Sequence, residues 1–100
     1  MLKTYAYPKF PYHQSAAQRD GVVQRHPVVV IGAGPIGLTA ALECAARGLP
    51  VVVLDDNDTV SIGSRAVCYA KRALEVWDRL GVGERMVERG VRWKVGKVFF

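Results

Sequence analysis

Residues 28–37 read VVVIGAGPIG. Four apolar residues, Val28 to Ile31, run directly into Gly32, Gly34 and Gly37, a G-x-G-x-x-G spacing. This is the pattern of a buried strand that must turn sharply into a helix while leaving room for a pyrophosphate. In that arrangement Gly32 makes the tight turn, Gly34 lets the backbone come close to the ligand, and Gly37 lets the helix pack on the strand. The amides of Ala33 to Ile36 surround the helix start, where unpaired donors and the helix dipole favour an anion. Pro35 lacks an N–H and adds no donor to that cradle, but its fixed φ suits the first helical position.

Downstream, the spacing predicts a helix from about Pro35 to Arg47, with Leu38, Ala41, Leu42 and Ala45 on one apolar face and Gly48 as its stop. Val51 to Leu54 is a second solid apolar run. Continuous apolarity in both strands predicts a parallel sheet covered on both faces. Strand, helix and strand occupy residues 28–54, the length of a right-handed crossover unit. Asp55 then follows Gly37 after 17 intervening residues. A carboxylate at the end of the second strand can accept both hydroxyls of an adenosine ribose, and it would repel a 2′-phosphate. A dinucleotide such as NAD or FAD fits this corner better than NADP.

The flanking segments carry weaker signals. Residues 1–26 hold Pro8, Pro11 and Gly21 among scattered polar residues and read as an N-terminal arm without helical or strand periodicity. Tyr5, Tyr7, Phe10 and Tyr12 cluster within it and could pack on a neighbouring surface, whereas His13 and His26 are isolated. The run DDNDT at 55–59 resembles the start of a calcium loop. It has Val60 where glycine is required and Ala66 where glutamate is required, so no metal is assigned. Ser64 reads as the N-cap of a second helix, with Ala66, Ala70, Ala73, Leu74, Trp77 and Leu80 at helical spacing and Gly81 closing it. Arg65 stands in the first turn of that expected helix, where a cation opposes the dipole. Such a placement points to a ligand, the ribose or the pyrophosphate. A short helix over about Glu84 to Arg89 stops at Gly90, and Val95 to Phe100 reads as the opening of another strand.

Composition narrows the class. One hundred residues with half of them hydrophobic describe a small globular unit, not a disordered tail. The formal charge is +5, from 14 basic and 9 acidic residues. No aromatic-interleaved basic patch or nucleic-acid motif accompanies it, so no nucleic-acid partner is assigned. Cys44 and Cys68 have no metal-ligand spacing and read as reduced, packed thiols on helices. The N-terminus lacks the apolar core of a secretory signal, and no apolar run approaches the ~18 residues of a membrane span. The expectation is a cytoplasmic protein with no membrane partner. A homo-oligomeric state is left open.

The stretch VVVIGAGPIGLTAALECAARGLPVVVLDDN, followed by GSRAVCYAKRALEVWDRLGV, resembles the N-terminus of flavin-dependent aromatic hydroxylases. These are the single-component FAD monooxygenases related to p-hydroxybenzoate, phenylpropionate and phenol hydroxylases. The Ser64-Arg65-Ala66 start, with Leu74-Glu75 and Leu80-Gly81, carries the specific part of the likeness, which covers about residues 25–100. The resemblance implies an α/β fold, the N-terminal portion of a Rossmann-like FAD-binding domain of the glutathione-reductase type. It implies that Gly32, Ala33, Gly34, Pro35, Ile36 and Gly37 surround the FAD pyrophosphate, that Asp55 binds the ribose, and that Arg65 contacts the phosphate–ribose region. Many relatives carry glutamate where Asp55 stands and glycine where Cys68 stands.

The activity the resemblance implies uses NADH or NADPH to reduce FAD, and O2 to hydroxylate a small phenolic or other aromatic substrate. The expected organisation is an arm over 1–26 and the first part of the FAD-binding domain over 27–100, continuing past the apolar Val98-Phe99-Phe100. The catalytic residues are expected beyond residue 100. Two other readings remain open at this stage. One is a non-hydroxylating FAD oxidoreductase, such as a dehydrogenase or halogenase. The other, which applies if the chain is complete, is a non-catalytic nucleotide-binding or interaction module.

Overall fold

The computed structural model describes residues 6–60 and 68–99. The chain divides into two compact units, Met1–Arg65 and Ala66–Phe100. In the first, β1 (Val28–Ile31) and β2 (Val51–Leu54) pair in parallel, and α2 (Pro35–Ala46) connects them. The register is Val28 with Val51 through to Ile31 with Leu54. This is the βαβ unit that the apolar runs predict, with both strands at their expected bounds.

Local chemistry sets the ends of α2. Pro35 occupies its first turn, and Gly34 serves as N-cap without a side-chain bond. The last turn closes with Arg47 as C-cap and Gly48 in the left-handed region at φ +73°. The Gly48 and Leu49 amides then donate to Ala45 and Cys44 carbonyls, at 3.0 and 2.9 Å. Arg47 also reaches Glu43 at 3.5 Å, one turn back. Of the predicted apolar face, only Ala41 is buried; its small side chain lets the helix settle closely on the strands.

The expectation of a sheet covered on both faces is not met. Burial alternates along β1, with Val28 and Val30 half-buried under α2 while Val29 and Ile31 are exposed. One helix on a two-stranded sheet can cover one face only, and the described residues supply no second layer.

The arm also differs from its reading. It contains a short helix, α1 (Ala16–Asp20), which the Ser15 hydroxyl caps by accepting the Gln18 N–H at 3.1 Å. Gly21 ends it in the left-handed conformation. Five residues are too few to produce a helical hydrophobic period, and the cap and stop residues carry the element instead. Tyr7, Phe10 and Tyr12 are exposed; Tyr5 lies outside the described residues.

The second unit is a helical pair, α3 (Lys71–Arg79) and α4 (Gly83–Arg89). Trp77 is buried, as its spacing predicts, and Tyr69 packs edge-on against it, with ring centroids 5.1 Å apart. The helix begins later than expected. Ala70 is its N-cap, and Cys68 to Ala70 are not helical. Without a side-chain cap, the first turn is tied instead by Glu75, which pairs with Lys71 and Arg72 at 3.8 and 3.4 Å. The expected cap Ser64, together with Arg65 and Ala66, lies outside the described residues. Cys68 is exposed and not packed on a helix; Cys44 is half-buried on α2, and both are free thiols. Val95 to Phe99 form no strand and are exposed. A strand exists only through a paired neighbour, and none is present among the described residues.

A candidate dinucleotide-binding corner

The corner forms where β1 gives way to α2. The Gly32 N–H donates to the Leu54 carbonyl at 2.7 Å, so the ladder runs one residue past the end of β1 before the loop departs. Gly32 leaves at φ +100°, a conformation that side-chain-bearing residues rarely adopt. Gly37 then sits directly on this turn. A Cβ added there would collide with the Gly32 carbonyl oxygen and stand 3.1 Å from Gly32 C and 3.2 Å from Val30 Cγ1. The third glycine therefore sets how closely the helix packs on strand and loop. A Cβ at Gly34 meets nothing within 4 Å. The second glycine faces open space, where a ligand can lie against the backbone.

The donors at this end of α2 follow from helix geometry. The Leu38 N–H closes the first turn by donating to the Gly34 carbonyl at 2.9 Å. The amides of Ile36 and Gly37 precede that bond and have no carbonyl within the helix to take them. Pro35, between Gly34 and Ile36, supplies none. The side chain of Ile36 is exposed, as is that of Ile31 at the end of β1, so apolar surface flanks the donors.

Asp55 closes the corner from β2. Its Oδ2 accepts the Ala33 N–H at 2.6 Å, and its Oδ1 accepts the Asn57 N–H at 2.7 Å. These bonds, the one from Ala33 foremost, hold the carboxyl below the usual aspartate pKa and keep it ionised. The sequence reading placed the Ala33 amide among the phosphate donors; here it orients the carboxylate instead. Backbone amides take one lone pair on each oxygen, and the Asn57 side chain adds a further favourable interaction with the carboxyl. A carboxylate offers about four lone-pair positions, so acceptor capacity is left for a sugar hydroxyl.

The residues expected to act together from Gly32 to Gly37 and at Asp55 are thus brought to one place. Arg65 lies outside the described residues. Asn57 was not foreseen, although the Asp-x-Asn pattern at 55–57 is one in which an aspartate takes the amide two residues on. Among the described residues no cluster of His, Cys, Asp or Glu could hold a metal ion, and no helix is long and apolar enough to cross a membrane.

The observed elements fit the adenine-bearing half of a dinucleotide: open backbone at Gly34, unpartnered amides at the helix start and a partly free, ionised carboxylate. Comparison with known proteins agrees. The chain is 41% identical over 64 residues to para-nitrophenol 4-monooxygenase of Pseudomonas sp. strain WBC-3, covering 64% of this chain and 16% of that relative. It is 40% identical over 63 residues to 6-methylpretetramide 4-monooxygenase of Streptomyces rimosus, covering 63% and 11%. Rifampicin monooxygenase of Streptomyces venezuelae is 39% identical over 72 residues, covering 72% and 15%. The chain thus spans between 11% and 16% of the length of these relatives. No solved structure matches it. The resemblance to flavin-dependent hydroxylases is borne out by these relatives and by the family model described as FAD binding domain, which matches residues 25–100. With its Rossmann-like glycine corner, the chain belongs to the FAD binding domain family.

Proposed function

We propose that this chain supplies the ADP-binding part of the FAD site in an NAD(P)H-using monooxygenase that hydroxylates a phenolic or other aromatic substrate. The observation that carries the cofactor part is the bond between the Asp55 carboxylate and the Ala33 amide. It sets a ribose acceptor beside a loop whose backbone is open to a pyrophosphate. The reaction part is supported by the names of the relatives, which are monooxygenases and hydroxylases. In this reading residues 27–100 open a FAD-binding domain of the glutathione-reductase type that continues past residue 100, and 1–26 are an arm before it. The protein is read as cytoplasmic, acting on a small aromatic molecule and O2.

Each residue has a role in holding the cofactor. The Gly34, Ile36 and Gly37 amides face the pyrophosphate, where the helix dipole adds to their attraction. Gly32 and Gly37 keep that backbone in place. Asp55 takes the two hydroxyls of the adenosine ribose, and its charge disfavours a 2′-phosphate. Arg65 contacts the phosphate–ribose region. Bound FAD would supply the redox and oxygen chemistry, while the protein positions it and excludes water.

The test uses the intact protein. NADH or NADPH oxidation is followed together with O2 uptake and the product of a phenolic substrate. Substrate-dependent, coupled consumption of both supports hydroxylation. Flavin turnover that continues without O2 would remove it in favour of a dehydrogenase.

A further inference from the structure

The arm makes three contacts with the segment that follows Asp55. The Phe10 N–H donates to the Asp58 carbonyl at 2.7 Å. The Thr59 hydroxyl donates to the Pro8 carbonyl at 3.0 Å. The Lys9 ammonium reaches the Asp58 carboxylate, also at 3.0 Å. Three consecutive arm residues therefore grip two consecutive loop residues through backbone, hydroxyl and charge. The arm has its own internal order: the Tyr12 hydroxyl donates to Gln18 Oε1 at 2.7 Å, and α1 is capped at both ends. All of this precedes residue 25, where the match to the FAD binding domain begins.

The gripped loop is the one that shapes the carboxylate. Asn57, adjacent to Asp58, donates its N–H to Asp55 Oδ1, and its amide side chain donates to Asp56 at 3.1 Å. Asp55 to Asp58 are exposed, and Thr59 alone in the loop is half-buried. Little apolar packing therefore fixes it: the Ala33 amide holds its first residue, and the polar contacts to the arm hold its far end at Asp58 and Thr59.

We propose that the segment Pro8–Phe10 is a strap that holds the Asp55–Thr59 loop in its ribose-accepting shape, with Lys9 and Thr59 as positioning residues for the adenosine half of the cofactor. This rests on the cofactor reading given above. A free loop would sample conformations in which the Asn57 amide no longer directs the Asp55 carboxylate. Binding would then have to select the ordered fraction, and apparent affinity would fall in proportion. The Lys9–Asp58 pair is exposed and contributes little alone, so the hydroxyl and the pair must be removed together.

The experiment compares intact wild-type apoprotein with Lys9→Ala/Thr59→Val and with a variant lacking residues 1–12. Two quantities are read: hydrogen exchange of the amides at 56–60, and dissociation constants for ADP and for FAD by calorimetry. The double variant should exchange faster at 56–60 and bind ADP and FAD more weakly by the same factor, about fivefold, the worth of roughly one hydrogen bond. The deletion should do at least as much, while amides of β1 and α2 keep their wild-type exchange. Unchanged exchange at 56–60 would overturn the strap. Faster exchange with unchanged ADP affinity would overturn its role in positioning. Failure of the cofactor reading has a separate signature, in which Gly34→Val binds FAD as tightly as wild type.

Discussion

Gly37→Ala separates the packing role of the glycine corner from its ligand role. Gly37 lies within α2 at an ordinary helical conformation, so helix propensity alone favours alanine there by about 1 kcal/mol. Packing opposes this. The added methyl would overlap the Gly32 carbonyl oxygen, with Gly32 C and Val30 Cγ1 at 3.1 and 3.2 Å. Two of these three atoms are backbone held in the sheet ladder, because the Gly32 amide is itself bonded to Leu54. They cannot rotate away as a side chain would, so α2 has to lift from the strands. Overpacking of this kind costs about 1–3 kcal/mol, and rigid backbone places the site at the upper end. The net loss is about 2 kcal/mol after the gain in propensity. Hydrogen exchange of the α2 amides in the intact apoprotein reads this directly, as local opening enhanced about thirtyfold. Gly34→Val is the companion. No atom lies near its Cβ position, so α2 exchange should stay close to wild type while flavin content is lost. Slower α2 exchange in Gly37→Ala would mean that propensity outweighs contact, and the account of the third glycine would be refuted.

Three further outcomes follow from the cofactor reading. Asp55→Asn removes the charge while keeping the size, and should weaken both FAD and ADP on the order of tenfold by calorimetry. Because the Asp55 pKa is lowered, its contribution is fully present above the ordinary carboxylate value of about 3.9 and is lost only as pH falls through its lowered value. Wild-type ADP affinity should therefore show no Asp55-dependent change between about pH 8 and 5; a titration midpoint inside that window, absent from Asp55→Asn, would contradict the assignment. Arg65→Ala should weaken FAD binding more than Lys71→Ala does, since Lys71 is exposed and already pairs with Glu75. Equal losses would make Arg65 an ordinary surface cation.

The sequence was most readable where local and tertiary demands coincide. Val28–Ile31 and Val51–Leu54 are valine-rich runs with sharp boundaries, Pro27 and Gly32 around the first and Pro50 and Asp55 around the second, and both strands stand at their expected limits. Pro35 and Gly48 marked the ends of α2 for equally local reasons. Reading failed where an element depends on neighbours. Val95–Phe99 has strand composition, but pairing partners decide whether it becomes a strand. Two-face coverage of the sheet likewise depends on a layer absent from the described residues. The start of α3 was misplaced because Ser64 is a strong cap by type, whereas Ala70, the cap in the structure, carries no signal at all. Within the corner, the glycines and Asp55 were legible from spacing. That Ala33 serves Asp55, and that Lys9 and Thr59 bridge about 50 residues of sequence, are tertiary facts with no local pattern.

The two bonds that tie the loop to the second strand, Gly32 to Leu54 and Ala33 to Asp55, are made entirely by protein atoms. The turn thus acquires its form during folding, and ligand capture need not supply the ordering entropy again. A nascent apoprotein would present a finished receptacle, ready to load flavin after synthesis rather than requiring it as a folding template.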